Sequence, residues 1–149
     1  MELRPYRSED WAVVCEIYDL SKPEELRGVV APSAILPLDT DPKMTALFRD
    51  SRIVVMEDAG RVVGFAGNRE NFITWLFVHP NSRRKGVATS LIRQLLSEVE
   101  GPVTLNVVKS NAAALALYRD IGFTIEREYP GNFQGGPCQV AKLRHETAA

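Results

Sequence analysis

Cysteine is scarce in this chain. Cys15 and Cys138 are the only two in 149 residues. They form no C-x-x-C pair, which removes a disulfide scaffold and a thioredoxin-like redox motif. Histidine is as rare, with His79 and His145 alone, so no zinc site is expected. No apolar run exceeds Ala112 to Tyr118, far short of the ~20 residues a membrane helix needs. A charge excess is lacking too: 18 basic against 19 acidic side chains leave a net −1, so nucleic acid is not an expected partner. The patterns G-x-S-x-G, G-x-x-x-x-G-K-[ST], H-E-x-x-H and G-x-G-x-x-G are all missing. That sets aside the nucleophile elbow, the P-loop, the zincin helix and the Rossmann fingerprint. The opening residues do not follow a secretory signal pattern, and with so few thiols the expected setting is reducing and cytoplasmic.

What remains is ordinary globular material. Apolar residues make up 45% and charged residues 25%, and the length suits one domain over 1–149, burying roughly 70% of its unfolded surface. The charge is unevenly spread. Residues 1–75 carry 9 basic and 13 acidic groups, and residues 76–149 carry 9 and 6. A polyanion would suit the second part and a cation the first.

Periodicity predicts a short strand near Glu2–Tyr6, then a helix over about Glu9–Leu20 capped by Ser8. Residues 29–41 are too apolar for a solvated linker and too rich in proline for a regular element. They read as a loop folded back over the body, a candidate neighbour of a ligand. Asp41-Pro42 suits N-cap plus N1 of a short helix to about Asp50. Arg52–Asp58 and Arg61–Arg69 read as a hairpin turning at Ala59-Gly60. Phe72–Val78 is nearly all apolar, the pattern of a central strand covered on both faces. A helix over Lys85–Val99, a strand over Val103–Val108 and a helix from Asn111 to about Ile121, closed by Gly122, come next. Two strands, Phe123–Tyr129 and Cys138–Leu143, flank a loop at Pro130–Pro137. The order predicts an α+β chain with a mixed, mostly antiparallel sheet and helices on both faces.

Two stretches carry candidate chemistry. In Val78-His-Pro-Asn-Ser-Arg83-Arg84-Lys85-Gly86-Val87-Ala88-Thr89 a buried strand ends, three cations follow and a glycine opens a helix. First-turn amides have no partners within their helix, and the dipole there is positive, so such an end holds phosphate. An ordinary strand–helix connection with surface charges fits the same residues. About twenty residues on, Asn111, Leu115 and Tyr118 fall at i, i+4 and i+7 on one helix face. Taken as an isolated helix, a cap at Asn111 and a half-buried core aromatic at Tyr118 are the simpler reading.

Together, R-x-x-G-x-A after one strand and S-N-x-x-A-x-x-L-Y-x-x-x-G-F after the next resemble the GCN5-related N-acetyltransferase (GNAT) family, over residues 72–123. The second motif is similar to that of the branch acetylating ribosomal-protein N-termini and also to many small-amine enzymes. The resemblance implies that strands 72–78 and 103–108 splay apart around acetyl-CoA. It implies pantetheine contacts to the backbone of Leu76, Phe77 and Val78, a pyrophosphate on the amides of Arg84, Lys85, Gly86, Val87, Ala88 and Thr89 beside Arg83, and a cofactor contact from Asn111. Tyr118 matches the general acid, and the acceptor would be a primary amine of a small molecule or a peptide. Members of this fold often form homodimers, though no residue here marks one. A non-catalytic acyl-CoA-binding module would share the same phosphate loop.

Two departures bear on mechanism. The branch's general-base Glu corresponds to Asn106, and the place of the histone-type Glu is Phe72. Glu70, His79 or a water chain past Asn106 are the substitutes. The acceptor site is expected between the 29–41 loop and the 131–136 loop, near Tyr129 and Phe133. Glu24, Glu25, Asp39 and Asp41 can attract a cation there or form a solvated acidic face.

Overall fold

In the computed structural model, which describes residues 1–147, seven strands form one sheet in the order β1-β2-β3-β4-β5-β7-β6. The strands are β1 Glu2–Pro5, β2 Arg52–Asp58, β3 Arg61–Arg69, β4 Phe72–Val78, β5 Val103–Val108, β6 Thr124–Phe133 and β7 Gly136–His145. The helices are α1 Trp11–Glu25, α2 Pro42–Arg49, α3 Val87–Glu98 and α4 Ala112–Ile121. Every neighbouring pair is antiparallel except β4 with β5, which is parallel. The α+β reading with a mixed sheet therefore holds.

Alternating side chains send β2, β3 and β4 into two cores, one on each face. Val54, Met56, Ala66 and Ile73 pack with Leu91, Ile92 and Leu95 of α3 and with Tyr118 and Ile121 of α4. Ile53, Val55, Phe65, Trp75 and Phe77 pack with Val14, Ile17 and Tyr18 of α1 and Phe48 of α2. The second core is an aromatic cluster, with Phe48 and Tyr18 ring centroids 5.4 and 5.9 Å from Trp75.

Several local expectations are met by specific bonds. Asp41 accepts from the Lys43 and Met44 amides at 3.1 and 3.2 Å and starts α2. Asn111 Oδ1 accepts from Ala114 N at 3.2 Å. Gly122, at φ +119°, ends α4 as the Gly122 and Phe123 amides both donate to Tyr118 O. Ala59 and Gly60 both have positive φ, the turn that matches strand twist in a two-residue hairpin.

Other expectations are corrected. Ser8 opens a short 3-10 turn and makes no cap bond; Asp10 ties that turn by accepting the Arg7 amide at 2.8 Å, and α1 itself starts without a side-chain cap. Helix α1 does not stop near Leu20 but runs through Pro23 to Glu25. The supposed loop at Pro130–Pro137 is the tip of a β6–β7 hairpin paired as far as Phe133 and Gly136. Residues 29–41 fold into two 3-10 turns, with Leu38 buried and its amide donating to Asp19 Oδ1 at 2.9 Å. Strand β4 is central and packs on both faces, Ile73 and Val78 with the α3 side and Trp75 and Phe77 with the α1 side, but its cover is incomplete: Phe72, Thr74 and Leu76 are half-exposed.

Candidate active site

The parallel pair β4 and β5 touches at one register position, Phe72 opposite Thr104, with Thr104 N donating to Asn71 O at 3.0 Å. Beyond it the strands diverge, because β5 turns to pair along its length with β7 while β4 stays with β3. The divergence opens a cleft of about 1460 Å³. That is larger than the ~300–1,000 Å³ usual for one small ligand.

One end of the cleft is the mouth of α3. Leu76, Phe77 and Val78 line it, followed by Arg83, Arg84, Gly86, Val87, Ala88 and Thr89. Arg84 and Gly86 take positive φ, +63° and +79°, which folds the chain into a concave turn of backbone amides. Among the described residues, the amides of Val87, Ala88 and Thr89 find no acceptor. A Cβ added at Gly86 would meet nothing within 4 Å, so that side of the turn is open. Lys85 does not line the cleft. Arg83 points toward α1, where it pairs with Glu24 and donates to Ser21 Oγ at 3.3 Å and Val78 O at 3.4 Å.

The middle of the cleft holds Tyr118 and Asn111 from α4 and Asn106 from β5. Tyr118 is 6% exposed, and its ring meets Phe123 edge-on at 5.3 Å. Burial pushes its phenol well above the ordinary range, and the negative charge of Glu25 adds to the effect. The group is thus held protonated, as a proton donor must be. Asn111 serves as the cap of α4 and as cleft wall at once. Asn106 is exposed on β5, in register with Lys142. Of the suggested bases, Glu70 lines the cleft from the β3–β4 turn, at φ +52°. His79 does not line it: Nδ1 accepts the Asn81 amide at 3.1 Å, and its own amide donates to Val63 O.

The far end is walled by the last turn of α1, the start of α2 and the hairpin tip. Lys22, Glu25, Asp41, Met44, Leu47 and Phe133 stand there. From the 29–41 loop only Asp41 reaches the lining, and Tyr129 stays outside it, under the Arg127 guanidinium at 4.7 Å. Lys22 is the residue that sequence reasoning missed. With the helix expected to end at Leu20, nothing placed it one turn before Glu25 on the same face. Among the described residues there is no cluster suited to a metal ion and no helix long and apolar enough to cross a membrane.

A family model for the acetyltransferase (GNAT) family matches residues 11–123. The Cysteine-rich protein 2-binding protein of Homo sapiens is 48% identical over 79 residues, 51% of this chain but 10% of that protein. The [ribosomal protein bS18]-alanine N-acetyltransferase of Salmonella typhimurium is 45% identical over 65 residues, 39% of this chain and 44% of that one. The chain thus spans less than half the length of these relatives. In structure it is similar to yncA of Salmonella typhimurium, solved with its cofactor acetyl-CoA. The TM-score is 0.76 at 20% identity, over 100% of this chain and 95% of that one, a likeness of fold.

Proposed function

The chain belongs to the acetyltransferase (GNAT) family, and from that premise we propose that it moves the acetyl group of acetyl-CoA directly to a primary amine of a small molecule or a peptide. The observation that carries this is the divergence of β4 and β5 onto the open mouth of α3, with Tyr118 in the same cleft.

The residues fit acetyl-CoA. Phosphates need donors that are not already spent, and the first-turn amides of α3 are unspent. The same turn leaves room beside Gly86. Bound there, the cosubstrate supplies a thioester. Leu76, Phe77 and Val78 would align its arm along the edge that β4 leaves unpaired. Arg84 and the α3 amides would hold the pyrophosphate, and Arg83 can join by leaving Glu24. Tyr118 keeps a proton at Oη for the departing sulfur. The far end of the cleft takes the amine: it combines carboxylates, which attract an ammonium, with Met44, Leu47 and Phe133, which cover an apolar stem.

The Salmonella relative's name specifies an alanine N-terminus, which supports peptides led by a small residue as one arm of an acceptor screen. Free thiol release from acetyl-CoA over a panel of amines and peptide N-termini tests the proposal. Amine-dependent release is the expected result. Tight binding of acetyl-CoA with no release for any amine would favour a binding module instead.

A further inference from the structure

Acetyl transfer to an ammonium requires a group that takes its proton, and Asn106, where the family's carboxylate would stand, is an amide without useful basicity. A carboxylate faces the same cleft from the opposite wall. Glu25 lies in the last turn of α1, its side chain 30% exposed and lining the cleft. One turn earlier, Lys22 is nearly enclosed, its side chain 7% exposed. Its Nζ sits 2.6 Å from Glu25 Oε2 and lies over the rings of Tyr18, Phe77 and Phe133 at 5.7, 5.6 and 6.0 Å. An ammonium boxed by three rings has its charge satisfied by the ring faces and by one carboxylate. Lys22 is therefore spent inside the protein, and its effect is to fix Glu25 at the cleft wall. The fully buried Tyr18 phenol is raised by burial and then by Glu25, Asp41 and Asp19, with Gln134 acting the other way. Tyr118, across the cleft, feels Glu25 as well. Glu25 thus acts on a buried hydroxyl of its own helix and on one that lines the cleft.

We propose that Glu25 receives the acceptor's ammonium and takes its first proton opposite Tyr118, with Lys22 as the residue that positions it. This rests on the acetyl-transfer reading above. The ammonium nitrogen gives one proton to Glu25, and the freed lone pair forms the N–C bond to the acetyl carbon. The C–S bond breaks, Tyr118 protonates the sulfur, and the nitrogen's surplus proton restores the phenol. Ammonium plus thioester yields amide, thiol and one proton, which Glu25 passes to water. Of the charged or titratable groups around Glu25, Lys22 pairs with it directly and the phenols of Tyr18 and Tyr118 sense its charge; Glu24, Arg27 and Asp41 line the same cleft, Glu24 being paired with Arg83. The hairpin tip brings Asn132, Phe133 and Gln134, none of which titrates.

The test compares wild type, Glu25→Gln, Glu25→Asp and Lys22→Met. Acetyl-CoA binding is measured by calorimetry. Thiol release is measured from pH 6 to pH 10 with 2-phenylethylamine, glycinamide and an alanine-led peptide. Glu25→Gln is expected to lower kcat/KM about 10²-fold or more at pH 7, the scale of a positioned base, with acetyl-CoA affinity unchanged. The deficit should shrink about tenfold per pH unit and close above each amine's own pKa, because a free amine needs no base to deprotonate it. Glu25→Asp should recover part of the loss. Lys22→Met should show a smaller deficit with the same pH trend. A Glu25→Gln enzyme with wild-type kcat/KM at pH 7, or a deficit that stays constant with pH, overturns the assignment. A wild type that neither binds acetyl-CoA nor releases thiol overturns the acetyl-transfer reading itself.

Discussion

In the proposed reaction Tyr118 serves packing and chemistry with different atoms. Its ring belongs to the α3–α4 core, and its hydroxyl belongs to the cleft. Tyr118→Phe keeps the ring and removes the proton, so kcat should fall ~10²–10⁴-fold. Stopped-flow thiol release read beside acetyl-CoA calorimetry separates the two roles, since the affinity should stay within about twofold, or ~0.4 kcal/mol. Far from the cleft, Asp10 is purely structural. It accepts from Arg4 at 2.8 and 3.0 Å, and both side chains are nearly buried. Arg4 holds its carboxyl below the usual range, against the cost of burial. Asp10→Asn leaves the nearly buried guanidinium with Glu57 as its remaining carboxylate, at 3.5 Å, and should cost about 1–3 kcal/mol in urea unfolding at neutral pH. Because the folded-state pKa is lowered, this stability is fully present above the ordinary carboxylate range and is lost as pH falls through the lowered value. The gap between wild type and Asp10→Asn should therefore narrow as the pH drops below about 4.

At the scale of elements, two of the corrected boundaries, the end of α1 and the β6–β7 tip, share a cause: prolines and glycines read as breakers where context tolerates them. Pro23 lies in the last turn of α1, and Asp19, whose carbonyl would have bonded its missing amide, is tied by its side chain to Leu38. Ending the helix early hid the face on which Lys22 and Glu25 meet. Pro130 is tolerated because β6 is an edge strand, and Pro137 because β5 pairs with β7 only from Val140 onward. Gly131 is small for a visible reason, since a Cβ there would come within 2.7 Å of Val140. A Cβ at Gly136 would run into the Val30 side chain and come within 2.6 Å of Val29 O, so the hairpin tip rests against the chain leaving α1. Gly136→Ala should push that contact apart, at an overpacking cost of about 1–3 kcal/mol. It should raise the acceptor KM while leaving acetyl-CoA affinity intact, since the α3 mouth is untouched. Steady-state kinetics with each substrate varied in turn checks this split.

For the whole molecule, the element order and fold class were legible because hydrophobic period and turn residues act locally. The proposed cofactor end draws on two short stretches, Val78 to Thr89 and Asn111 to Tyr118, and of the cofactor-binding candidates read from them all but Lys85 line one cleft. The amine side was not legible. The proposed amine end draws on α1, α2 and the β6–β7 tip, and no local pattern links Lys22 to Phe133, more than a hundred residues further along the chain. The divergence of β4 and β5 likewise follows from the competing pairings of β3 and β7, which only the complete sheet reveals. The account stands on that cleft binding acetyl-CoA through the α3 mouth. The most direct measurement is the melting temperature of wild type and Gly86→Asp against acetyl-CoA concentration. At 100 times Kd, linkage stabilises wild type by about 2.7 kcal/mol, a rise of roughly 5–10 °C for a domain of this size. Gly86→Asp should fold at a small cost from its left-handed φ, yet show little rise, because a carboxylate would occupy the open side of the amide turn. An unshifted wild type at saturating acetyl-CoA, or an equal shift in Gly86→Asp, would contradict the account.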